Sequence, residues 1–174
     1  MVETVGWIKK WRLEIKTFIR VIFDIVWLVD GALKFQKGMV NSYVSMIQEV
    51  GNGQPLWLQP WFHFWAVAVN SNPALWLYSV GIGELLLGIA LIAGGMRKVT
   101  YIAGIALSLI IWSVPEGFGG PYGPGATDIG TGIIYAFVFL ALILINTTYG
   151  SSRYSVDYIL EKRIKWWHRI AEFE

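Results

Sequence analysis

The stretch ALWLYSVGIGELLLGIALIAGG, residues 74–95, decides the fold class because it contains a single charged side chain, Glu84. About 20 mostly apolar residues in a helix cross the hydrocarbon core of a bilayer. Residues 98–115 and 128–146 have the same character. Residues 17–35 are also apolar but carry four charges. We count them as a fourth span because ten of the twelve residues at positions 18–29 are apolar and leave no face suited to water. A secretory signal peptide is the alternative for this segment, but the apolar run starts late and no small-residue cleavage site follows.

The composition of the whole chain agrees with a membrane protein. Of its 174 residues, 55% are apolar and 15% are charged, against about 25% charged in soluble domains. High hydrophobicity excludes disorder. The absence of Cys excludes a disulfide scaffold, a thiolate zinc site, an iron–sulfur protein and a c-type haem protein. The net charge of +2 gives no basic excess for nucleic acid.

The distribution of charge predicts the orientation. Of the 14 Lys and Arg residues, 12 fall on the side that holds both termini, and Lys34 and Lys37 are the two exceptions. The positive-inside rule therefore predicts cytoplasmic termini. Tryptophans mark both predicted boundaries: Trp7, Trp11, Trp166 and Trp167 at the inner one and Trp57, Trp61, Trp65, Trp76 and Trp112 at the outer one. The sequence predicts an all-α multi-pass protein of the cell membrane, a single domain over residues 1–174 that forms an antiparallel four-helix bundle.

Three segments outside the spans also have helical patterns. Residues 2–16 and 155–172 place apolar residues at helical spacing among basic ones, which predicts amphipathic helices on the inner membrane surface. Ser155 is the expected cap of the second. Residues 55–69 contain Pro55 and Pro60 and are too short to span, so we expect an outer interfacial half-helix that caps the bundle.

Charged residues at membrane depth are the first candidates for function, because burying them is costly. Arg20 and Asp24 are four residues apart and can pair on one helix face. We hypothesise that Glu84 meets this pair inside the bundle, where Glu84 or Asp24 could handle protons. The alternative is a structural polar layer that fixes helix register.

The loop between the third and fourth spans is rich in glycine but carries interleaved functional side chains. Consecutive glycine amides can bind anions, and we expect Lys34 and Lys37 to lie nearby, which predicts a small oxyanion site. Its candidate residues within the loop are Glu116, Gly119, Gly120, Tyr122 and Asp128. The alternative is a rigid turn in which Thr127 or Asp128 caps the fourth helix. His63 and His168 are predicted on opposite sides of the membrane, so we expect no haem or metal on this chain. We expect no flavin either, because the sequence shows none of the residues that would hold one.

The chain resembles the DoxD/DoxX membrane-protein family in its charged span residues and in the glycine-rich loop. The resemblance lies in Arg20 and residues 31–35, in Gly83-Glu84 followed by Gly88 and residues 94–97, and in residues 154–157. Its most specific part is the loop EGFGGPYGPGATDIG, residues 116–130, which looks like the DoxD branch. The resemblance covers residues 15–165.

The resemblance implies a membrane subunit of an archaeal thiosulfate:quinone oxidoreductase, which oxidises thiosulfate to tetrathionate and passes electrons to the respiratory quinone pool. It also implies a DoxA-like small subunit as partner, and association with a terminal quinol oxidase. Quinone is then a substrate, for which we assign an aromatic pocket at Trp61, Trp65 and Trp112. The alternatives are a non-catalytic accessory subunit of the oxidase and a small transporter. Because the chain lacks Cys, we expect a partner to supply the sulfur redox centre.

Overall fold

A computed structural model describes residues 2–123, 126, 128–149 and 154–173, with the backbone alone for residues 2–10, 12 and 13. In these ranges every regular element is a helix, as predicted. The eight α-helices are α1 (Val2–Leu33), α2 (Met39–Glu49), α3 (Gln59–Ser71), α4 (Pro73–Ala93), α5 (Arg97–Ser113), α6 (Thr131–Tyr149), α7 (Val156–Leu160) and α8 (His168–Ala171). Two short 3₁₀ turns, Leu56–Leu58 and Gly117–Gly119, interrupt the connections.

Two of the four predicted spans are long and apolar enough to cross a membrane. They are α4 and α6, each with an 18-residue window of high mean hydropathy and few charges. α5 has 17 residues and begins with two basic side chains, and α1 carries several charges in its apolar part. Length and composition in the described ranges thus identify two candidate spans, and the four-span bundle stays a prediction.

The N-terminal segment differs from the prediction. Residues 2–16 were expected to form a separate surface helix, but they continue directly into the first predicted span as one helix of 32 residues. The reason is that residues 7–30 contain neither Pro nor Gly, so nothing in the sequence ends the helix. At 1.5 Å per residue, α1 is about 48 Å long.

The long helices pack as two pairs. α1 lies along α4 and α5 lies along α6, whereas α4 and α5 touch over a shorter length. Glycines permit the close approach: a Cβ on Gly31 would lie 2.9 Å from the Gly81 carbonyl, and one on Gly104 would lie 2.2 Å from the Phe139 ring. Phe139 joins α1 to the second pair through an edge-to-face contact with Phe23 at 5.0 Å.

α2 and α3 form a short helical layer at one end of the bundle. α2 is not among the predicted helices, although Met39, Tyr43 and Ile47 stand at i, i+4 and i+8. The segment predicted as a half-helix is a 3₁₀ turn followed by α3, with Pro60 in the first turn, where proline is tolerated. Tyr43, Ile47 and Val69 are buried with Leu77 of α4 and Val114 after α5. This layer therefore covers the ends of α4 and α5.

The C-terminal segment is not the single surface helix predicted for residues 155–172. The predicted cap is confirmed, since the Tyr158 amide donates to Ser155 Oγ at 3.3 Å. The helix it starts, α7, ends after five residues, and turns separate it from α8. The physical reason is that acidic side chains of this segment turn inward to a buried arginine, as described below, so the segment folds against the bundle.

Candidate functional site

A cavity of about 450 Å³ lies under the α2–α3 layer, between α4 and α5. We call it the first cavity. Most of its lining is apolar or aromatic, with charged groups from the turn after α1, from α4 and from the connection after α5. It is lined by Lys34, Met39, Tyr43, Met46, Trp65, Trp76, Leu77, Ser79, Val80, Glu84, Leu107, Ile110, Ile111, Val114, Pro115 and Glu116. Burial raises the pKa of the Tyr43 hydroxyl, so this group remains a hydrogen-bond donor.

An ion pair stands at one end of the first cavity. Lys34 Nζ lies 3.3 Å from Glu84 Oε2, and the side chain of Glu84 is 3% exposed against 24% for Lys34. Lys34 also donates to the Asp30 carbonyl at 3.3 Å. The ammonium therefore reaches both the buried carboxylate and the last turns of α1.

The hypothesis that Glu84 meets Arg20 and Asp24 is wrong. The contacts between the antiparallel helices set a different register: Gly88 of α4 faces the Asp24 backbone, and Gly81 faces Gly31 and Lys34. Glu84 lies between these two levels and pairs with Lys34. The spacing of charged residues along the sequence does not predict this register, because the register depends on where small residues let the two helices meet.

Arg20 and Asp24 lie in the other half of the bundle and do not line the first cavity. Arg20 Nη2 donates to the Tyr154 carbonyl at 3.2 Å and to the Ile92 carbonyl at 3.5 Å. It thus contacts the C-terminal turn of α4, where a cation is favourable. Asp24 is fully buried, and within the part of the chain described its carboxylate oxygens accept no hydrogen bond. The two side chains form no ion pair with each other in these ranges.

Two of the predicted oxyanion residues hold the start of α6 instead. Glu116 Oε2 accepts from the Gly132 amide at 2.9 Å, and Glu116 Oε1 accepts from the Thr131 hydroxyl. Asp128 Oδ1 accepts from the Gly130 amide at 2.7 Å. Glu116 therefore acts as the cap that the sequence analysis assigned to Thr127 or Asp128. Thr127 lies outside the described residues.

The glycine amides of the loop are also engaged. The Gly119 amide donates to the Glu116 carbonyl at 2.7 Å, and the Gly120 amide donates to the Gly117 carbonyl at 3.1 Å. Because both amides are bonded within the turn, they are not available as the predicted anion nest. Lys37 is exposed in the turn after α1 and is not among the residues that line the first cavity. These contacts favour the rigid-turn alternative for the loop.

A second cavity of about 440 Å³ lies between the same loop and the turn before α3. Four of its nine lining residues are aromatic: Trp57, Trp112, Phe118 and Tyr122. Gln54 Nε2 fixes the two walls by donating to the Gly117 carbonyl at 2.9 Å. The Tyr122 hydroxyl donates to the Phe118 carbonyl, so Tyr122 also holds the loop in shape.

The three tryptophans predicted for a quinone do not share one cavity. Trp65 lines the first cavity and Trp112 lines the second. Trp61 lies between them, with its ring 5.7 Å from that of Trp65 and its Nε1 donating to the Ser113 carbonyl at 3.0 Å. Trp65 is therefore the member of the set that lies with Lys34 and Glu84.

A buried arginine that the sequence analysis overlooked joins three distant segments. Arg97 Nε donates to Asp157 Oδ2 at 2.8 Å, and Nη2 donates to Glu161 at 2.9 Å and to Glu172 at 2.5 Å. Nη1 donates to Asn146 Oδ1 at 3.1 Å, and Lys16 Nζ donates to the same oxygen at 2.6 Å. We call these six residues the Arg97 cluster. Its partners are 49 to 81 positions from Arg97 in the sequence, so no local pattern reveals it.

Burial and electrostatics within the Arg97 cluster shift three pKa values. Burial and the charge of Arg97 lower the pKa of Lys16 to about 8. Burial lowers the pKa of Arg97, but the hydrogen bond and charge of Asp157, with the charges of Glu172 and Glu161, outweigh it and raise the pKa overall. Burial raises the pKa of Glu161, and Arg97 opposes this, while Glu172 and Asp157 raise it further. The net direction for Glu161 is upward from its ordinary value of 4.5.

The raised pKa of Glu161 predicts a dependence of stability on pH. The folded chain holds a proton on Glu161 at pH values where the unfolded chain has lost it. This contribution is fully present below pH 4.5 and is lost as pH rises through the folded-state pKa. We therefore expect the free energy of unfolding of the wild type, relative to Glu161→Gln, to increase as pH falls from about 8 to about 4. Unfolding in detergent across this range measures the difference, and a constant or decreasing difference would contradict the assignment.

Among the described residues, no group of three or more His, Asp or Glu side chains could hold a metal ion. His63 is exposed on α3 and His168 begins α8. The chain matches no protein-family model, no curated protein and no solved structure. The candidate site is therefore defined by its own geometry: the first cavity, with Lys34, Glu84 and Trp65.

Proposed function

We propose that the chain is the membrane subunit of a thiosulfate:quinone oxidoreductase and that a quinone head group is reduced in the first cavity. The observation that carries the quinone part is the Lys34–Glu84 ion pair at the end of an otherwise apolar, aromatic cavity. In this proposal the chain crosses the cell membrane four times with both termini in the cytoplasm. The two apolar helices α4 and α6 and the 12-to-2 split of basic residues support this topology.

The chemistry of the cavity suits a quinone. Reduction of a quinone to a quinol takes up two electrons and two protons. The Lys34 ammonium has three donors and can hold a quinone carbonyl oxygen. Glu84 is a carboxylate in the ion pair, so it first takes up a proton from water and then passes it to that oxygen as negative charge develops there. The second proton enters from water in the same way. Lys34 is partly exposed, which gives Glu84 a short route for recovering its proton. The aromatic walls bind the ring and exclude water.

The thiosulfate part of the proposal rests on the resemblance to the DoxD/DoxX family. Two thiosulfates joined as tetrathionate release two electrons, which balances the reduction of one quinone. The chain has no Cys, so we assign the sulfur redox step to a site completed by a DoxA-like small subunit.

An accessory subunit of a terminal quinol oxidase is the second candidate. It is supported by the structural contacts of Arg20, which joins the end of α4 to the Tyr154 carbonyl, and of Glu116, which caps α6. An activity assay of the purified chain with its small subunit distinguishes the two candidate functions. Thiosulfate-dependent quinone reduction supports the enzyme, and its absence supports the accessory role.

Two lysines near the end of α1 provide a matched test of the quinone site. We expect Lys34→Met to raise the KM for quinone by about tenfold, because one charge-assisted hydrogen bond is lost from the cavity. Lys37→Met, at an exposed position three residues away, is expected to leave the KM unchanged. The measurement is the initial rate of quinone reduction against quinone concentration in membranes. Equal changes in KM for the two variants, or no change for Lys34→Met, would show that the Lys34–Glu84 ion pair is not part of the quinone site.

A further inference from the structure

The first cavity has an open side between α4 and α5. A Cβ on Gly83 of α4 would lie 3.5 Å from Leu107 of α5, so the helices meet at this level. One turn toward the α2–α3 layer, Ser79 of α4 and Ile110 of α5 both line the cavity and are both exposed. Because the helices are antiparallel, these two residues are the facing edges of one opening. Met46 of α2, which is 45% exposed, also lines the cavity.

The surroundings of this opening are apolar. Ser79 lies six residues into α4, about 9 Å from its start, within a helix that is apolar enough to span a membrane. Nearby outward-facing residues include Ile82 of α4 and Leu109 of α5, both exposed. In a bilayer an opening with these edges faces hydrocarbon and not water.

We propose that this opening, the α4–α5 mouth (Met46, Ser79 and Ile110), holds the isoprenoid tail of the quinone while the head group lies at Lys34 and Glu84. The inference rests on the proposed function. A cavity of about 450 Å³ accommodates a substituted ring but not a tail of many isoprene units, which needs an apolar exit. The mouth is continuous with the cavity, and two of its three residues, Met46 and Ile110, are apolar.

The test compares two quinones with the same head group, one without a tail and one with a decyl tail. Their dissociation constants are measured on the purified full chain in lipid nanodiscs by equilibrium dialysis. The variants Ser79→Phe and Ile110→Phe each narrow the mouth from one side. Ile82→Phe and Ile102→Phe are the matched controls, because both positions are exposed on the same helices and neither lines the cavity.

We expect each mouth variant to weaken binding of the decyl quinone by about tenfold and to change binding of the tail-free quinone by less than about twofold. Both controls should bind both quinones as the wild type does. Equal weakening for the two quinones, or no weakening in either mouth variant, would overturn the inference. Helix content by circular dichroism identifies a variant that fails to fold. In that case the other mouth variant, on the opposite edge, tests the inference. If the wild type binds neither quinone, the proposed function itself fails, which is a separate result.

Discussion

Replacing Glu84 with Gln is expected to lower thiosulfate-dependent quinone reduction by at least about 100-fold while the complex still assembles, because a positioned acid–base group contributes 10²-fold or more. Gln keeps the size of the side chain and its hydrogen-bonding capacity, but it cannot deliver a proton. Its neutral amide also leaves Lys34 without the counter-charge that lies 3.3 Å away. The measurement is the turnover of purified complex with thiosulfate and quinone at saturating concentrations.

Two further variants distinguish proton transfer from a purely structural role. Glu49→Gln is the matched control, since Glu49 is exposed at the end of α2, and its turnover should equal that of the wild type. Glu84→Asp retains an ionisable group and is expected to restore part of the activity, with an altered pH profile. Wild-type turnover in Glu84→Gln would remove this residue from the mechanism. Equal loss in Glu84→Asp and Glu84→Gln would indicate a structural role.

Replacing Arg97 with Met is expected to cost about 3–5 kcal/mol of unfolding free energy, the usual effect of removing one partner from a buried ion pair. Arg97 is 1% exposed, and its removal leaves Asp157, which is fully buried, without its cation. The acidic side chains of the C-terminal segment then repel one another. The measurements are denaturant unfolding in detergent micelles and limited proteolysis, in which the C-terminal segment should become susceptible.

The control for Arg97→Met is Arg163→Met, which removes the same charge from an exposed position in the C-terminal segment. Surface charges contribute little, so this variant should unfold as the wild type does. A loss in Arg97→Met no larger than that in Arg163→Met would show that the Arg97 cluster does not hold the segment.

The parts of the fold that follow from local sequence were predictable. Runs of apolar residues located α4 and α6, and the Ser155 cap was identified from its residue type. The continuity of α1 differs from the two separate segments predicted, 2–16 and 17–35, although no helix-breaking residue stands at their junction.

The parts that depend on tertiary register were not predictable from one sequence. Glu84 was identified as a candidate from its isolated charge, but its partner Lys34 follows from how α1 and α4 approach through glycines. Glu116 was assigned to an anion site, whereas it caps α6 across a loop. Arg97 bonds to side chains up to 75 positions away, and spacing along the chain gives no signal for such contacts.

Photo-crosslinking tests most directly whether a quinone occupies the first cavity. A quinone that carries a photoreactive group on its ring is bound to the full chain in nanodiscs, irradiated and mapped by peptide mass spectrometry. We expect the label on cavity residues of α2 and α3, such as Met39, Tyr43 and Trp65, and expect excess unlabelled quinone to prevent it. Labelling confined to the second cavity or to the half of the bundle that holds Arg20, or labelling that excess quinone does not reduce, would contradict the account.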